Sequence, residues 1–197
     1  MLEIISVGPG DAALLTDDAK QAIACADAVW CAARHAVLVP PEKVRPLSPL
    51  EEAIEQMRAS SNAGQNAAVL VSGDAGLYSL LEMLKRKVGG EGLRVHPGVS
   101  ALQLFAARLG VSWQSAKILS AHGRALSPSA LCHAARTHRQ TFCFLDAAHN
   151  PAWVRERLNL GGLEAARLFV GERLSYPDER TEAYRADAQY DPLCMAY

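Results

Sequence analysis

The feature that most limits the fold is a repeated order of elements: an apolar run, a loop with glycine, then a helix-like segment. The runs Ile4–Val7 and Ala67–Val71 are rich in apolar and β-branched residues, and a glycine follows each within two residues. Parallel strands need a crossover connection, which is usually a helix, and helices on both faces leave the strands almost continuously apolar. This order therefore predicts an α/β fold with a mainly parallel N-terminal sheet.

The alternation restarts after the segment Gly110–Ala116, which predicts a domain boundary there. We expect one α/β domain over residues 1–112 and a second, closing a ligand cleft, over residues 113–197. The end of the chain has strand-like runs without helices between them: Ala166–Gly171, Arg180–Arg185 and Pro192–Tyr197. Antiparallel strands need only short connections. The second sheet is therefore predicted to be mixed, with an antiparallel meander at its end.

Residues typical of helix ends place the helices of the first domain. Thr16 precedes two aspartates and is expected to cap a helix that runs to Ala26, because its hydroxyl can accept from a backbone N–H of the first turn. A second helix is expected to start at Ser48-Pro49, where Glu51 completes a capping box, and to run to about Ser60. A third is expected over Leu77–Val88, with Gly89-Gly90 as its stop, and a fourth over Ser100–Leu109.

Charge, hydropathy and cysteine usage exclude several classes of partner. The 197 residues carry a formal net charge of −1, so no basic excess indicates nucleic acid or an anionic membrane. The chain shows no signal-peptide pattern, and no apolar run approaches the roughly 20 residues of a membrane span. Its five cysteines lack metal-ligand spacing. We therefore expect free thiols, no bound metal and a cytoplasmic protein.

The first glycine loop, Gly8–Ala13, fits the dinucleotide-binding pattern G-x-G-x-x-A. Three features oppose that reading. Asp11 places a carboxylate where a pyrophosphate needs bare amides, and Pro9 removes one amide donor. The second strand runs into Arg34 and not into an acidic residue for a ribose. A tight turn, a dinucleotide site and a loop facing another ligand remain the three alternatives.

Two further glycine loops follow strand-like runs, at Ser72–Tyr78 and at Pro97–Ala101. Ligands of parallel sheets bind at the carboxyl ends of the strands. Glycine allows a close approach to the backbone, and Asp74 can accept hydrogen bonds from an amine or a hydroxyl. Three such loops at one sheet edge predict an elongated site for a small molecule.

Four motifs occur in order and span both predicted domains. They are V-G-P-G-D-x-x-L-L-T at Val7–Thr16, S-G-D-A-G-x-Y at Ser72–Tyr78, P-G-V-S-A at Pro97–Ala101 and S-A-H-G-R at Ser120–Arg124. Together they resemble the ordered motifs of the tetrapyrrole (precorrin) methyltransferase family. L-D-x-x-H-N-P at Leu145–Pro151 and G-E-R-L-S-Y-P-D-E-R at Gly171–Arg180 resemble the branch that methylates C-5 of the corrin ring.

The resemblance implies the two-domain tetrapyrrole methylase fold, S-adenosylmethionine as methyl donor, and methylation of precorrin-7 or cobalt-precorrin-7 at C-5 for cobalamin biosynthesis. It places these residues at the donor: Pro9, Gly73, Asp74, Ala75, Leu77, Ser100, Ala101, Leu145 and Arg173. Most members have proline where Ala75 stands, although alanine also occurs among the C-5 enzymes. No catalytic base is implied, because the reduced macrocycle is itself nucleophilic at its meso carbons.

A polycarboxylate acceptor requires cations at its site. The candidates are Arg34, Arg124 and His122; Asp11 is expected either to orient a pyrrole N–H or to steady its loop. A homodimer is expected. C-15 methylation and decarboxylation are expected from a separate protein or a fused domain. A trimmed C-terminus and a fusion partner removed from this chain are two alternatives that stay open. The alternatives are another acceptor on the same fold, such as uroporphyrinogen, diphthamide or ribosomal RNA, and a dinucleotide-binding module.

Overall fold

A computed structural model describes residues 1–89, 92–192 and 194–197. The chain forms two compact units, Met1–Ala101 and Leu102–Tyr197. This division precedes the boundary that the sequence predicted after residue 112. The helix at the junction accounts for the difference: its Phe105 ring stands edge-on to Phe142, with 5.9 Å between ring centroids, in the second unit.

The first unit contains a five-stranded sheet in which every pairing is parallel, as predicted. Its strands are β1 (Leu2–Ser6), β2 (Ala28–Cys31), β3 (Val44–Pro46), β4 (Ala67–Val71) and β5 (Leu93–His96). Their order across the sheet is β3-β2-β4-β1-β5. β3 is a short strand within a proline-rich stretch. β1 lies between β4, the central strand, and β5, which is at the edge.

The helices of this unit are α1 (Asp17–Cys25), α2 (Leu50–Asn62) and α3 (Leu81–Val88). The Thr16 side chain caps α1 by accepting from the Ala19 amide at 3.1 Å, as predicted. α3 begins four residues later than predicted, because turns occupy the segment before Leu81. Gly89 follows its last residue with φ +94°, and Gly90, the other predicted stop residue, lies outside the described residues.

The side chains of β1, and of Val7 just after it, point alternately to the two faces of the sheet, and helices cover both faces. Leu2 and Ile4 belong to the apolar cluster built with α2 and α3, whereas Ile5 and Val7 belong to the cluster built with α1. All four side chains are buried. Successive residues of a strand point to opposite faces, so a strand between two helical layers must be apolar in nearly every position.

The second unit contains a mixed five-stranded sheet. Its elements are α4 (Ala101–Leu109, which begins at the last residue of the first unit), β6 (Lys117–Ser120), α5 (Pro128–Thr137), β7 (Thr141–Phe144), α6 (Pro151–Leu160), β8 (Phe169–Glu172), β9 (Arg180–Ala183) and β10 (Cys194–Ala196). β6 pairs with β7 in parallel, and the pairings of β10 and β9 are antiparallel, as predicted.

The predicted meander of the last three strands is wrong in its order. β10 lies between β7 and β8, in the sheet order β6-β7-β10-β8-β9. β10 is hydrogen-bonded to β7 on one side and to β8 on the other, and both pairings are antiparallel. Of the predicted run Pro192–Tyr197, Leu193 lies outside the described residues.

Within the described part of the chain, no helix is long and apolar enough to cross a membrane.

Candidate functional site

Three loops converge at the carboxyl ends of β4, β1 and β5, which are neighbours in the sheet. Gly8 and Gly73 exchange two backbone hydrogen bonds: the Gly73 N–H donates to the Gly8 carbonyl at 2.8 Å, and the Gly8 N–H donates to the Gly73 carbonyl at 3.2 Å. Both have positive φ, +74° and +68°, a conformation that favours glycine. Two of the three loops that the sequence predicted at one sheet edge are thus in direct contact.

Gly98, in the third loop, is packed against the other two. A Cβ at Gly98 would lie 2.6 Å from Cβ of Ser6 and 3.0 Å from the Gly73 carbonyl oxygen. Ser6 is buried at the end of β1, and its hydroxyl accepts from the Ala75 amide at 2.9 Å. The glycine in P-G-V-S-A is therefore required by the close approach of three backbone segments.

Asp74 connects the second loop to the third. Its Oδ1 accepts from the Gly76 amide at 2.8 Å, and its Oδ2 accepts from the Gly98 amide at 3.1 Å. A carboxylate can accept about four hydrogen bonds, so these two leave acceptor capacity on the same group. Leu77 is half-buried and donates its amide to the Asp74 carbonyl. Asp74 thus orders the loops on which the predicted ligand site depends.

The N-terminal loop is held by Asp11. Its Oδ1 accepts from the Ala13 amide at 2.8 Å and caps a short 3₁₀ turn at Ala12–Leu14. Of the two roles predicted for Asp11, steadying the loop is the one its geometry supports. Pro9, beside it, is half-buried, and Ser100 in the third loop is buried.

Arg34 reaches the same sheet edge from the end of β2. Its guanidinium donates to the Ser72 hydroxyl at 2.8 Å, and Nε2 of His35 lies 2.8 Å from the same oxygen. His35 is 2% exposed. Burial, and secondly the charge of Arg34, lower the pKa of His35 to about 4, so its imidazole is neutral at neutral pH.

Ser72 and His35 were not among the predicted site residues. Ser72 stands inside a motif that was valued for its glycines, and His35 directly follows Arg34 in the sequence. The sequence signal for these residues was the Arg34-His35 pair directly after the second strand. It could not be connected with Ser72, because that contact requires β2 to lie beside β4, and the order of strands in the sheet is not visible in the sequence.

In the second unit, His122 and Leu145 are in contact. Nδ1 of His122 donates to the Leu145 carbonyl at 3.2 Å, and the Leu145 amide donates to the Cys194 carbonyl at 3.1 Å. Cys194 is paired with Glu172, the residue before Arg173. Leu145 and Arg173 therefore flank the start of β10, where the carboxyl ends of β7 and β8 meet.

Arg173 begins a strained loop. It has φ +47°, and Ser175 has φ +74°; such conformations cost non-glycine residues about 1–3 kcal/mol each. Nε of Arg173 donates to Asp178 at 2.6 Å, and its guanidinium lies 5.0 Å from the centroid of the Tyr176 ring. Asp178 and the aromatic ring hold the Arg173 side chain in place. Arg124 is exposed in the turn after β6.

Among the side chains that the structure describes, no group of three or more histidine, cysteine, aspartate or glutamate residues is placed to hold a metal ion. The described polar groups at the first unit's sheet edge include backbone amides, the carboxylates of Asp11 and Asp74, the Ser72 hydroxyl with the His35 imidazole, and the Arg34 guanidinium. Such a set can bind a polar small molecule and move a proton.

A family model described as Tetrapyrrole (Corrin/Porphyrin) Methylases matches residues 1–188. The cobalt-precorrin-7 C(5)-methyltransferase of Salmonella typhimurium is 29% identical over 183 residues, which cover 91% of this chain and 88% of that protein. The precorrin-6Y C(5,15)-methyltransferase [decarboxylating] of Sinorhizobium sp is 33% identical over 187 residues, covering 91% of this chain but only 43% of that protein.

The fold is similar to that of a solved structure, uroporphyrin-III C-methyl transferase from Thermus thermophilus complexed with S-adenyl homocysteine. The TM-score is 0.77 at 20% sequence identity, and the match covers 99% of this chain and 95% of the other. At this identity the likeness concerns the fold, a parallel sheet followed by a mixed one.

Proposed function

Because the chain belongs to the tetrapyrrole (corrin/porphyrin) methylase family, we propose that it transfers a methyl group from S-adenosylmethionine to C-5 of precorrin-7 or cobalt-precorrin-7 in cobalamin biosynthesis. The observation that carries the proposal is the similarity, over 91% of the chain, to proteins named for methylation at C-5. The segments Leu145–Pro151 and Gly171–Arg180 support the same branch.

The direct test is an anaerobic assay with a donor labelled by ¹³C in its methyl group. Nuclear magnetic resonance of the product should place the labelled carbon on C-5 of the corrin precursor. Methylation of uroporphyrinogen with no turnover of the corrin precursor would reject the proposed acceptor. Calorimetry with S-adenosylhomocysteine and with NAD separates a methyltransferase from a dinucleotide-binding module.

The donor site proposed in the first unit is built on its three loops. Their close-packed glycines expose backbone amides and carbonyls, and the buried strand ends hold them in place. The proposed donor contacts are Pro9, Gly73, Asp74, Ala75, Leu77, Ser100 and Ala101, with Leu145 and Arg173 from the second unit. The spare acceptor capacity of Asp74 suits an ammonium or hydroxyl group of the donor.

Methyl transfer from a sulfonium is an in-line displacement, so most of the catalysis is positioning. The acceptor carbon attacks with a π electron pair from the electron-rich macrocycle, and the protein must hold that carbon in line with the C–S bond. Rigid loops serve this purpose, because small displacements of reacting atoms are costly in rate.

The acceptor carries several carboxylates, for which we propose Arg34, Arg124 and His122 as partners. Arg34 is exposed at the sheet edge beside Ser72. Nδ1 of His122 donates to the Leu145 carbonyl, which directs its other ring nitrogen away from that carbonyl. Asp11 is proposed to act on the acceptor through its loop.

Replacing Arg34 or Arg124 by alanine should raise the KM for the tetrapyrrole. An arginine–carboxylate pair in a partly wet site contributes about 1–3 kcal/mol, which corresponds to an increase of about 5- to 150-fold. The dissociation constant of S-adenosylhomocysteine should stay nearly constant. Initial rates at varied acceptor concentration and calorimetry provide the two measurements.

The matched control is Arg58→Ala, which removes an exposed arginine from α2; its KM should equal that of the unmodified protein. Raising the ionic strength should weaken acceptor binding modestly, because exposed charges are screened. Loss of donor binding with intact acceptor binding would show that the macrocycle has been placed on the wrong side of the loops.

We also expect a homodimer. Sheet edges that remain open tend to be covered, and β6 and β9 are the edge strands of the second sheet. Light scattering at micromolar concentrations should give twice the mass of one chain. A mass of one chain over the whole concentration range would contradict this assembly.

We propose a separate or fused domain for the remaining steps. The chain covers 43% of the Sinorhizobium relative, whose name includes both C-5 and C-15 methylation and decarboxylation. C-15 methylation and decarboxylation are accordingly proposed for a separate or fused domain. A cytoplasmic location is proposed because all five cysteines are free thiols, which suits a reducing compartment.

A further inference from the structure

The Ser72 hydroxyl, at the first unit's sheet edge, joins a buried histidine to the exposed surface. Ser72 is exposed at the end of β4, whereas His35 is 2% exposed beneath it. The Ser72 oxygen lies 2.8 Å from Nε2 of His35 and 2.8 Å from the Arg34 guanidinium. These distances are short enough for both hydrogen bonds to form at once.

The hydrogen-bonding capacity of a hydroxyl limits what Ser72 can do. Its oxygen has one proton and two lone pairs, and one lone pair accepts from Arg34. When Nε2 of His35 carries no proton, Ser72 donates its own proton to that nitrogen and keeps one lone pair towards the exposed side. A group at the exposed side can then give a proton to Ser72 as Ser72 gives its proton to His35.

The protonation state of His35 suits this transfer. Burial, with a smaller effect of Arg34, lowers its pKa to about 4. The imidazole is therefore neutral and able to accept at neutral pH. Because the ring is buried, it returns the proton through the Ser72 hydroxyl to water at the exposed side once the product has left. The guanidinium of Arg34 holds the Ser72 oxygen in place by donating to it at 2.8 Å.

The proposed reaction produces a proton, and this step of the inference rests on the proposed function. The C–S bond breaks with its electron pair remaining on sulfur, so a cationic donor becomes a neutral thioether. The acceptor forms the new C–C bond with a π pair and takes over the positive charge. It becomes neutral again only when an N–H or C–H bond of the macrocycle gives up its proton.

We propose that Ser72 and His35 form a proton relay for methyl transfer: the Ser72 hydroxyl accepts the proton from the methylated macrocycle and passes its own proton to Nε2 of His35. Ser72 is then a catalytic residue, because it touches the acceptor, and His35 is a positioning residue that acts through it. The two carboxylates at this edge accept hydrogen bonds from loop amides, Asp11 from Ala13 and Asp74 from Gly76 and Gly98.

The first test is His35→Gln, measured in single-turnover methyl transfer with the tetrapyrrole. Glutamine keeps a hydrogen-bonding group near Ser72 but cannot take up the proton. The rate should fall about 100-fold, at the lower end of the effect of general acid–base groups. Ser72→Ala should behave in the same way, and Ser72→Thr should keep most of the rate because it retains the hydroxyl.

Chemical rescue distinguishes a proton-accepting role of His35 from a purely structural one. In His35→Ala, added imidazole should restore the rate, whereas pyrazole, which has the same shape but is far less basic, should not. The matched control is His133→Gln on the exposed side of α5, which should leave the rate unchanged. The affinity for S-adenosylhomocysteine should be unaltered in all of these variants.

A second measurement does not depend on turnover. ¹⁵N nuclear magnetic resonance of the histidines at pH 7 should show a neutral His35 ring, and the Nε2 resonance should shift in Ser72→Ala. An imidazolium at His35, equal rescue by pyrazole, or a His35→Gln rate within about threefold of the unmodified protein would each overturn the relay. If the unmodified protein binds S-adenosylhomocysteine but methylates no corrin precursor, the proposed acceptor is wrong and the relay falls with it.

Discussion

Gly98→Ala should lower the free energy of unfolding by about 3 kcal/mol, at the upper end of the usual cost of overpacking. The added Cβ would lie 2.6 Å from Cβ of Ser6 and 3.0 Å from the carbonyl oxygens of Ser6 and Gly73. Two of these three atoms belong to the backbone, so a side-chain rotation cannot relieve the contact. The three loops must move apart, and binding of S-adenosylhomocysteine should be lost with them.

Denaturant unfolding and calorimetry measure the two effects. The matched control is Gly64→Ala after α2, where nothing lies within 4 Å of the added Cβ and only the positive φ of +80° is unfavourable. Its cost should be limited to the roughly 1–2 kcal/mol of left-handed backbone, with normal donor binding. A Gly98→Ala protein as stable as the unmodified one would mean that the loops are not packed as described.

Asp74→Ala should weaken both the loops and the donor site. Two amides, those of Gly76 and Gly98, lose a charged acceptor, and each such hydrogen bond is worth about 1.5–3 kcal/mol. The dissociation constant of S-adenosylhomocysteine should rise by about 5- to 150-fold, equivalent to about 1–3 kcal/mol. Asp74→Asn should show a smaller loss, because its one carbonyl oxygen can still accept.

Asp27→Ala is the control for Asp74→Ala. Asp27 is exposed, and its carboxylate accepts from the Asn66 amide at 2.8 Å, next to the amino ends of β2 and β4. Its loss should cost some stability but leave donor affinity unchanged. Unchanged affinity in a folded Asp74→Ala protein would remove Asp74 from the donor site.

Much of the first unit could be predicted because its signals are local. The apolar run Ala67–Val71 is a buried strand, and Thr16 caps the helix it precedes. Such features depend on residues within one or two turns of each other. The start of α3 was missed because Leu77 continues the apolar pattern although turns occupy its position.

The sequence by itself determined the α/β class, the parallel sheet and the three glycine loops, because apolar periodicity and glycine act over a few residues. Only the tertiary structure decided which strands are neighbours. Sheet order places Ser72 at the end of β4 beside His35, which follows β2, and inserts β10 between β7 and β8. It also assigns Phe105 to the second unit through its contact with Phe142. Contacts between residues 37 positions apart depend on how whole elements pack, and no local pattern records that arrangement.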